Sequence, residues 1–387
     1  MRSVYVTRPQ TPRARQMSLD DLLFGDVSLI PRGGRMYDPT GTVTRIIKDP
    51  RLNMTETLRL VTVLRNFNRD TEALRSVQDR NSLYYTFYIP KQNGKNRRID
   101  APEDELMAAL RRLKLILDVE FFYPFHTAAF AYVPHRSTVK LMQKHQANKS
   151  NWFGKLDFSN FFGSITPEFV MQMLRMIYPF SELFLIEGGR EELQTALDLA
   201  FLNGGLPQGT PVSPMLTNIL MVPFDHKMSK EIDDVCGSNM VYTRYADDII
   251  LSSRYEFDIK EVEKYINDNL AHFNAPMHLN TDKTRYGSRA GQNWNLGLML
   301  NKDNEITVGN NNHRHFKTML RNYAKCVSTG DPWPLDEVQH VLGLYSYYDS
   351  VEPETIKQLV GNVSSKCGYD VVRHMKDRLT TEHRRAG

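Results

Sequence analysis

An α+β fold with a helical C-terminal part is predicted by three features of the sequence. From Tyr84 the chain reads YYTFYIP, β-branched and aromatic, and the polar stretch KQNGKN then leads into Arg97-Arg98-Ile99-Asp100, the pattern of a hairpin with a basic tip. Further on, YTRYADDIILSS sets an acidic pair between apolar, β-branched flanks, which predicts strand, tight turn and strand. From His313 to Lys325 the spacing is helical, and Arg314, Lys317, Arg321 and Lys325 recur at i, i+3, i+7 and i+11 on one side.

The chain has 387 residues, 41% of them hydrophobic and 24% charged, enough for two or three domains and too apolar for wholesale disorder. Lys and Arg number 49 against 45 Asp and Glu, a net charge of +4 that permits a nucleic-acid partner without arguing for one. No run of 18 apolar residues exists, so no spanning helix and no membrane partner are expected. The N-terminus carries Arg2, Arg8, Arg13 and Arg15 without an apolar stretch, unlike a secretory signal. Cys236, Cys326 and Cys367 are odd in number and scattered, which excludes a disulfide framework and points to a reducing, cytoplasmic setting.

In chain order, residues 1–80 hold the basic arm, a Gly/Pro-rich patch and two helical patterns, one through Leu58, Val61, Val63 and Leu64 and one through Leu74 and Val77. A helix is expected from Glu103 to Leu117, a buried strand at Trp152–Phe158 and another at Met240–Arg244. Ile165-Thr166-Pro167 should open a helix. In the loop GGLPQGTPVSP, Ser213 is expected as N-cap, Pro214 as first helical residue, and Gly205 and Gly209 as points where backbone approaches a base pair or sugar. Pro223 should kink the helix that follows just before Asp225. Near residue 305 the pattern passes from mixed α and β to mostly helix, with further helices after Pro332 and Pro353.

Two adjacent ionised carboxylates at a hairpin tip repel each other, and folding alone gives no reason for them. Divalent cations do, because hard ions take carboxylate oxygens. The tetrapeptide Tyr245-Ala246-Asp247-Asp248 arises by chance in roughly one chain in ten, and a solvated Asp-Asp turn is the alternative. Context comes from KLDFSNFF, where Asp157 ends an apolar strand. Beside the Asp247-Asp248 hairpin it would complete a site for two ions about 3.5–4 Å apart, an arrangement suited to phosphoryl transfer.

At this point the ordered segments IPKQNGKNRRIDAP, AFAYVPHRS, KLDFSNFFGSI, LPQGTPVSPMLTNIL, YTRYADDIILS, LNTDKT and NLGLMLN resemble bacterial reverse transcriptases, the group that includes retron, group II intron and defence-associated enzymes. The resemblance covers about residues 84–310. It implies a right-hand polymerase fold: an N-terminal extension over 1–80, fingers and palm over 81–305, and a helical thumb over 306–387. It implies Asp157, Asp247 and Asp248 as catalytic acids holding two Mg²⁺ ions (or Mn²⁺ as substitute), with the Phe158 carbonyl as a backbone ligand. Phe162 matches the steric gate that favours dNTPs over rNTPs; a core aromatic is the alternative. Arg97 matches the arginine that grips the triphosphate, with Lys91 and Lys95 on the same hairpin. Gln208 is expected to line the nucleotide pocket. Lys283 aligns with the lysine that protonates departing pyrophosphate, or is a solvated loop lysine. Gly297 falls in the hairpin that holds the primer end, and Arg314, Lys317, Arg321 and Lys325 fall where template–primer phosphates pass, or form a solvated helix face.

The sequence departs from the retron pattern where Leu141-Met142-Gln143-Lys144-His145 replaces an Asn-Ala-x-x-His string and Asn295-Leu296-Gly297 replaces Val-Thr-Gly. After Gly297 the length suits a thumb and no second enzyme, so a stand-alone polymerase is expected. The implied partners are a structured non-coding RNA template, the nascent DNA and dNTPs, in bacterial antiphage defence. Protein-primed or untemplated DNA synthesis by the same site, and a non-catalytic RNA-binding splicing cofactor, are the competing readings.

Overall fold

The structure is a computed structural model that describes residues 54–387 except 91–93, 95, 122–124, 237–239, 291–293, 295–296, 331–332 and 387. The basic arm, Lys91 and Lys95 lie outside the described residues. Described helices of eight residues or more are labelled here. The chain forms two compact units, one of residues 1–136, 154–251 and 257–286, the other of 137–153, 252–256 and 287–387.

In the first unit, helix α1 (Met54–Asp70) buries Leu60, Val61, Leu64 and Phe67. Leu58, expected on that face, is exposed, and the Leu74/Val77 pattern yields one turn, Glu72–Arg75. The expected hairpin is present: β1 (Tyr84–Pro90) pairs antiparallel with β2 (Asn96–Pro102), setting Ile89 opposite Arg97 and Phe87 opposite Ile99. Helix α2 (Asp104–Ile116) follows within a residue of expectation at each end. Helix α3 (Thr138–Ala147) belongs to the second unit and is N-capped by Ser137.

Strand β3 (Trp152–Ser159) alternates strictly near its end: Leu156 and Phe158 are buried, while Lys155 and Asp157 point to the other face. Helix α4 (Pro167–Leu174) starts as expected, with the Thr166 hydroxyl accepting from the Phe169 N–H at 3.2 Å. Helix α5 (Gly189–Asp198) packs on α1, where the Asn68 amide donates to the Glu192 carbonyl at 2.9 Å and its carboxylate at 2.7 Å.

Helix α6 spans Ser213–Leu220 and α7 spans Val222–Cys236. Two expectations are corrected here. Ser213 is already helical, and its own N–H donates to the Thr210 hydroxyl at 3.2 Å while its hydroxyl donates to the Pro207 carbonyl at 2.9 Å. Thr210 therefore takes the capping role, because Pro214 fits equally well one position further into the first turn. Pro223 does not kink a continuous helix. The chain breaks at Met221, and Pro223 is the second residue of α7, where its missing N–H would have no partner in any case.

Strand β4 (Val241–Tyr245) and β5 (Asp248–Ser253) form the predicted hairpin, joined by Ala246-Asp247. After helix α8 (Ile259–His272) come β6 (His278–Leu279) and β7 (Arg285–Ser288). The sheet runs β4-β5-β3-β6, with β7 also pairing β3.

In the second unit β8 (Met299–Leu300) pairs with β9 (Ile306–Thr307), and four helices follow: α9 (Asn310–Thr329), α10 (Leu335–Val351), α11 (Pro353–Cys367) and α12 (Val371–Ala386). α9 buries Phe316, Leu320, Tyr323 and Ala324 against its neighbours. His145 is wholly buried, its ring tilted against Phe153 and bonded through Nδ1 to the Ser252 hydroxyl at 2.5 Å. Burial pushes its pKa down to about 3, so it is a neutral structural residue. No described helix is long and apolar enough to cross a membrane.

Candidate active site

The alternation of β3 aims Asp157 away from the core, and the β4–β5 turn lies on the neighbouring strand pair. The Phe158 N–H donates to the Asp247 carbonyl at 3.2 Å, and the Asn280 N–H donates to the Asp157 carbonyl at 2.7 Å. Asp157, distant in sequence, is thus brought beside the adjacent pair Asp247-Asp248. Ala246 has φ 56°, the positive value a two-residue hairpin demands at its first turn position and an uncomfortable one for alanine.

A buried cluster holds that turn. Arg244 and Asp225 have wholly inaccessible side chains and form a bidentate pair, Nε to Oδ1 at 2.8 Å and Nη2 to Oδ2 at 2.7 Å. The Tyr242 hydroxyl donates to Asp225 Oδ1 at 2.6 Å. Arg244 Nη1 donates to the Ala246 carbonyl at 3.0 Å and to Asn218 Oδ1 at 3.2 Å, so the guanidinium reaches forward and fixes the strained turn residue. Sequence reasoning missed this pair. Its signal was a charged residue inside the apolar strand VYTRY, which needs a buried partner.

Electrostatically the acids are unequal. The Lys155 ammonium donates to Asp248 Oδ2 at 2.7 Å, with both side chains mostly buried (20% and 15% exposed). Lys283 donates to Asp157 Oδ1 at 2.8 Å and is 59% exposed. Burial raises the pKa of Asp247, and the charges of Asp248 and Asp157 raise it further, against a backbone hydrogen bond and the pull of Lys283. Lys155 was not singled out from sequence, although Lys-x-Asp on a strand puts both side chains on one face. Among the described residues no group of three or more His, Cys, Asp and Glu is arranged to hold a metal ion as it stands, and lysines pair with two of the acids.

The residues expected at the nucleotide pocket are linked through backbone. Phe161 fills the core position, stacked on Phe158 at 5.4 Å, and leaves Phe162 half-buried beside it. The Phe162 carbonyl accepts from Leu206 at 3.1 Å, and a Cβ on Gly205 would come within 2.2 Å of the Gly163 carbonyl. Asp100 N–H on β2 donates to the Gln208 carbonyl at 3.0 Å. Gly209, at φ 121°, lies where a Cβ would stand 2.9 Å from the Asp100 carbonyl. Both glycines therefore serve close approach between segments of this chain. By these contacts the strand bearing Arg97, the Gln208 loop and Phe162 form one connected wall.

In the second unit, Gly297 adopts φ 89°. On α9, Arg314, Arg321 and Lys325 are exposed and Lys317 is half-buried, all opposite the buried Phe316, Leu320 and Tyr323.

Residues 89–314 match the family model described as reverse transcriptase (RNA-dependent DNA polymerase). The retron Ec73 reverse transcriptase of Escherichia coli is 28% identical over 276 residues, covering 70% of this chain and 84% of that protein. The retron Ec83 reverse transcriptase of the same organism is 27% identical over 312 residues, covering 78% of this chain and 92% of that protein. Among solved structures, the Sicinivirus 3Dpol RNA-dependent RNA polymerase has a TM-score of 0.45 at 12% identity, over 79% of this chain and 66% of that one.

Proposed function

This chain belongs to the reverse transcriptase family as a bacterial retron-type RNA-directed DNA polymerase with the right-hand α+β fold, and from that we propose that Asp157, Asp247 and Asp248 form its catalytic centre. The departures at 141–145 and 295–297 leave the retron type intact. At 145, His145 keeps a structural place in the fold.

The observation that carries the proposal is the crowding of carboxylates at the acidic turn. Asp247 is half-buried near two other carboxylates, a placement that destabilises its ionised form and that folding does not need. A divalent cation fits this donor set, which is all hard oxygen. Asp157 and Asp247, with the Phe158 carbonyl, would hold Mg²⁺ (or Mn²⁺), and Asp248, held by Lys155, would contribute negative field. Bound there, a pair of such ions would supply charge stabilisation for attack of a 3′-hydroxyl on a nucleotide and for its leaving group.

The chain's own residues do the remainder. Arg97 grips the triphosphate, Gln208 lines the pocket, and the half-exposed Phe162 ring fills the space a 2′-hydroxyl would need. Lys283 Nζ, beside Asp157, is placed to give its proton to departing pyrophosphate. Gly297 and the stripe Arg314, Lys317, Arg321 and Lys325 hold the primer end and backbone phosphates. The division into an N-terminal extension over 1–80, fingers and palm to 305, and a thumb beyond belongs to the same proposal. So do a dedicated structured non-coding RNA as template, a role in antiphage defence and a cytoplasmic location. Full-length protein given an RNA template, an annealed primer, dNTPs and Mg²⁺ should make DNA, and Asp157→Ala should make none; equal DNA synthesis by both would overturn the catalytic assignment. Sequencing the nucleic acid that co-purifies should return one structured RNA with complementary DNA; random cellular RNA would overturn the dedicated template.

A further inference from the structure

Tyr132 is a large aromatic residue in a place that folding does not explain. Its neighbours Ala131 and Val133 are buried, but Tyr132 is 58% exposed. Its φ is 57°, left-handed backbone that a bulky L-residue enters only at a cost. A residue without a ring, such as glycine or asparagine, would satisfy the turn better.

The surrounding loop is braced rather than slack. The Arg136 guanidinium donates to the carbonyls of His126 and Ala129 and lies over the Phe130 ring. The Asn218 amide, itself part of the Arg244 cluster, donates to the Ala131 carbonyl at 2.7 Å. The loop also adds a short parallel rung to β4. Arg244 N–H donates to the Ala128 carbonyl at 2.7 Å, Phe130 N–H donates to the Arg244 carbonyl at 2.9 Å, and Ala129 bridges Arg244 in parallel. Parallel chains advance together, so three residues beyond that bridge the loop reaches Tyr132 as the hairpin reaches Asp247. Electrostatics agree with that placement. Burial raises the phenol pKa, Asp247 and Tyr245 raise it further, and Arg97 opposes them, so the phenol feels the charge of both the acidic turn and Arg97.

From the strained, exposed ring and its register beside the acidic turn, we infer that Tyr132 contacts the base pair forming at that turn, packing against it without reading its sequence. An aromatic face serves every base alike. The strain persists because the Arg244 cluster and Arg136 hold the loop, and it puts a ring where substrate arrives. The inference rests on Asp247 as reaction centre.

Steady-state primer extension and thermal unfolding of full-length Tyr132→Gly, Tyr132→Phe and Asp247→Ala test it together. Tyr132→Gly should unfold at the wild-type temperature or higher, since glycine accepts the left-handed backbone, while its KM for dNTP rises roughly tenfold and misincorporation increases. Tyr132→Phe should stay near wild type in both. Wild-type KM and fidelity in Tyr132→Gly would overturn the inference. A lowered unfolding temperature with activity lost in proportion would also overturn it, because the ring would then be a structural prop. If Asp247→Ala remains active, the catalytic assignment fails whatever Tyr132 does; if Asp247→Ala is inactive and Tyr132→Gly behaves as wild type, only the role of Tyr132 fails.

Discussion

Two groups of arginines in this molecule are handled in opposite ways. Arg244 is wholly buried, bonded bidentately to Asp225 and aimed at one carbonyl of the acidic turn. Arg314 and Arg321 stand in solvent on α9, about one turn to either side of Lys317, with the apolar face of the helix turned away from them. The difference follows from what each must do. Chemistry at Asp247 depends on tenths of an ångström, so its support is desolvated, directional and intolerant of change. Holding a phosphate backbone, the role proposed for the α9 stripe, depends on summed charge, so exposed and salt-screened residues suffice.

Breaking the rigid side should cost most. Asp247→Ala should lower kcat at least about a thousandfold, since charge stabilisation at such a centre supplies several kcal/mol, while circular dichroism stays native; single-turnover primer extension measures it. Arg244→Met leaves Asp225 buried and unpaired, and should destabilise the first unit by about 3–5 kcal/mol in denaturant unfolding. Adding Asp225→Leu should restore much of that stability. Activity should stay low in the double variant, because the Ala246 carbonyl has lost its donor. Restored activity would mean that Arg244 serves folding alone.

At the wall formed by β2, the Gln208 loop and Phe162, the expected effect is intermediate. Phe162→Ala should reduce discrimination against rNTPs roughly tenfold or more, read from competing dNTP and rNTP incorporation. On the solvent side, Lys317→Ala or Arg321→Ala should weaken template–primer binding only a few-fold and lower the slope of log K against log salt by about one. A large loss independent of salt would place the stripe with the rigid group.

What the sequence disclosed divides along the same line. The β1–β2 hairpin, β3, the acidic hairpin and the α9 stripe were legible because each is a local periodicity of two or 3.6 residues. The three acids and Phe162 were legible as a motif. The Arg244–Asp225 clamp was not, since its members lie on different elements and only the fold brings them together. Lys155 was hidden for the same reason, as its partner Asp248 arrives from another strand. Ser213 was misplaced by one residue because a proline in the first helical turn fits more than one position, and Pro223 was read as a kink where it stands in the first turn of a separate helix.

The central claim, that the acidic turn is kept for catalysis at the expense of the fold, is tested most directly by Asp247→Asn. Because the folded pKa of Asp247 lies above its ordinary 3.8, the ionised carboxylate destabilises the fold at neutral pH, and this penalty fades as pH falls through the folded pKa toward 3.8. In EDTA at pH 7 the variant should therefore unfold on the order of a degree or two higher than wild type, with the gain shrinking as the pH approaches 4, and it should synthesise no DNA when Mg²⁺, template, primer and dNTPs are supplied. A variant that unfolds earlier than wild type yet still extends a primer would contradict the account.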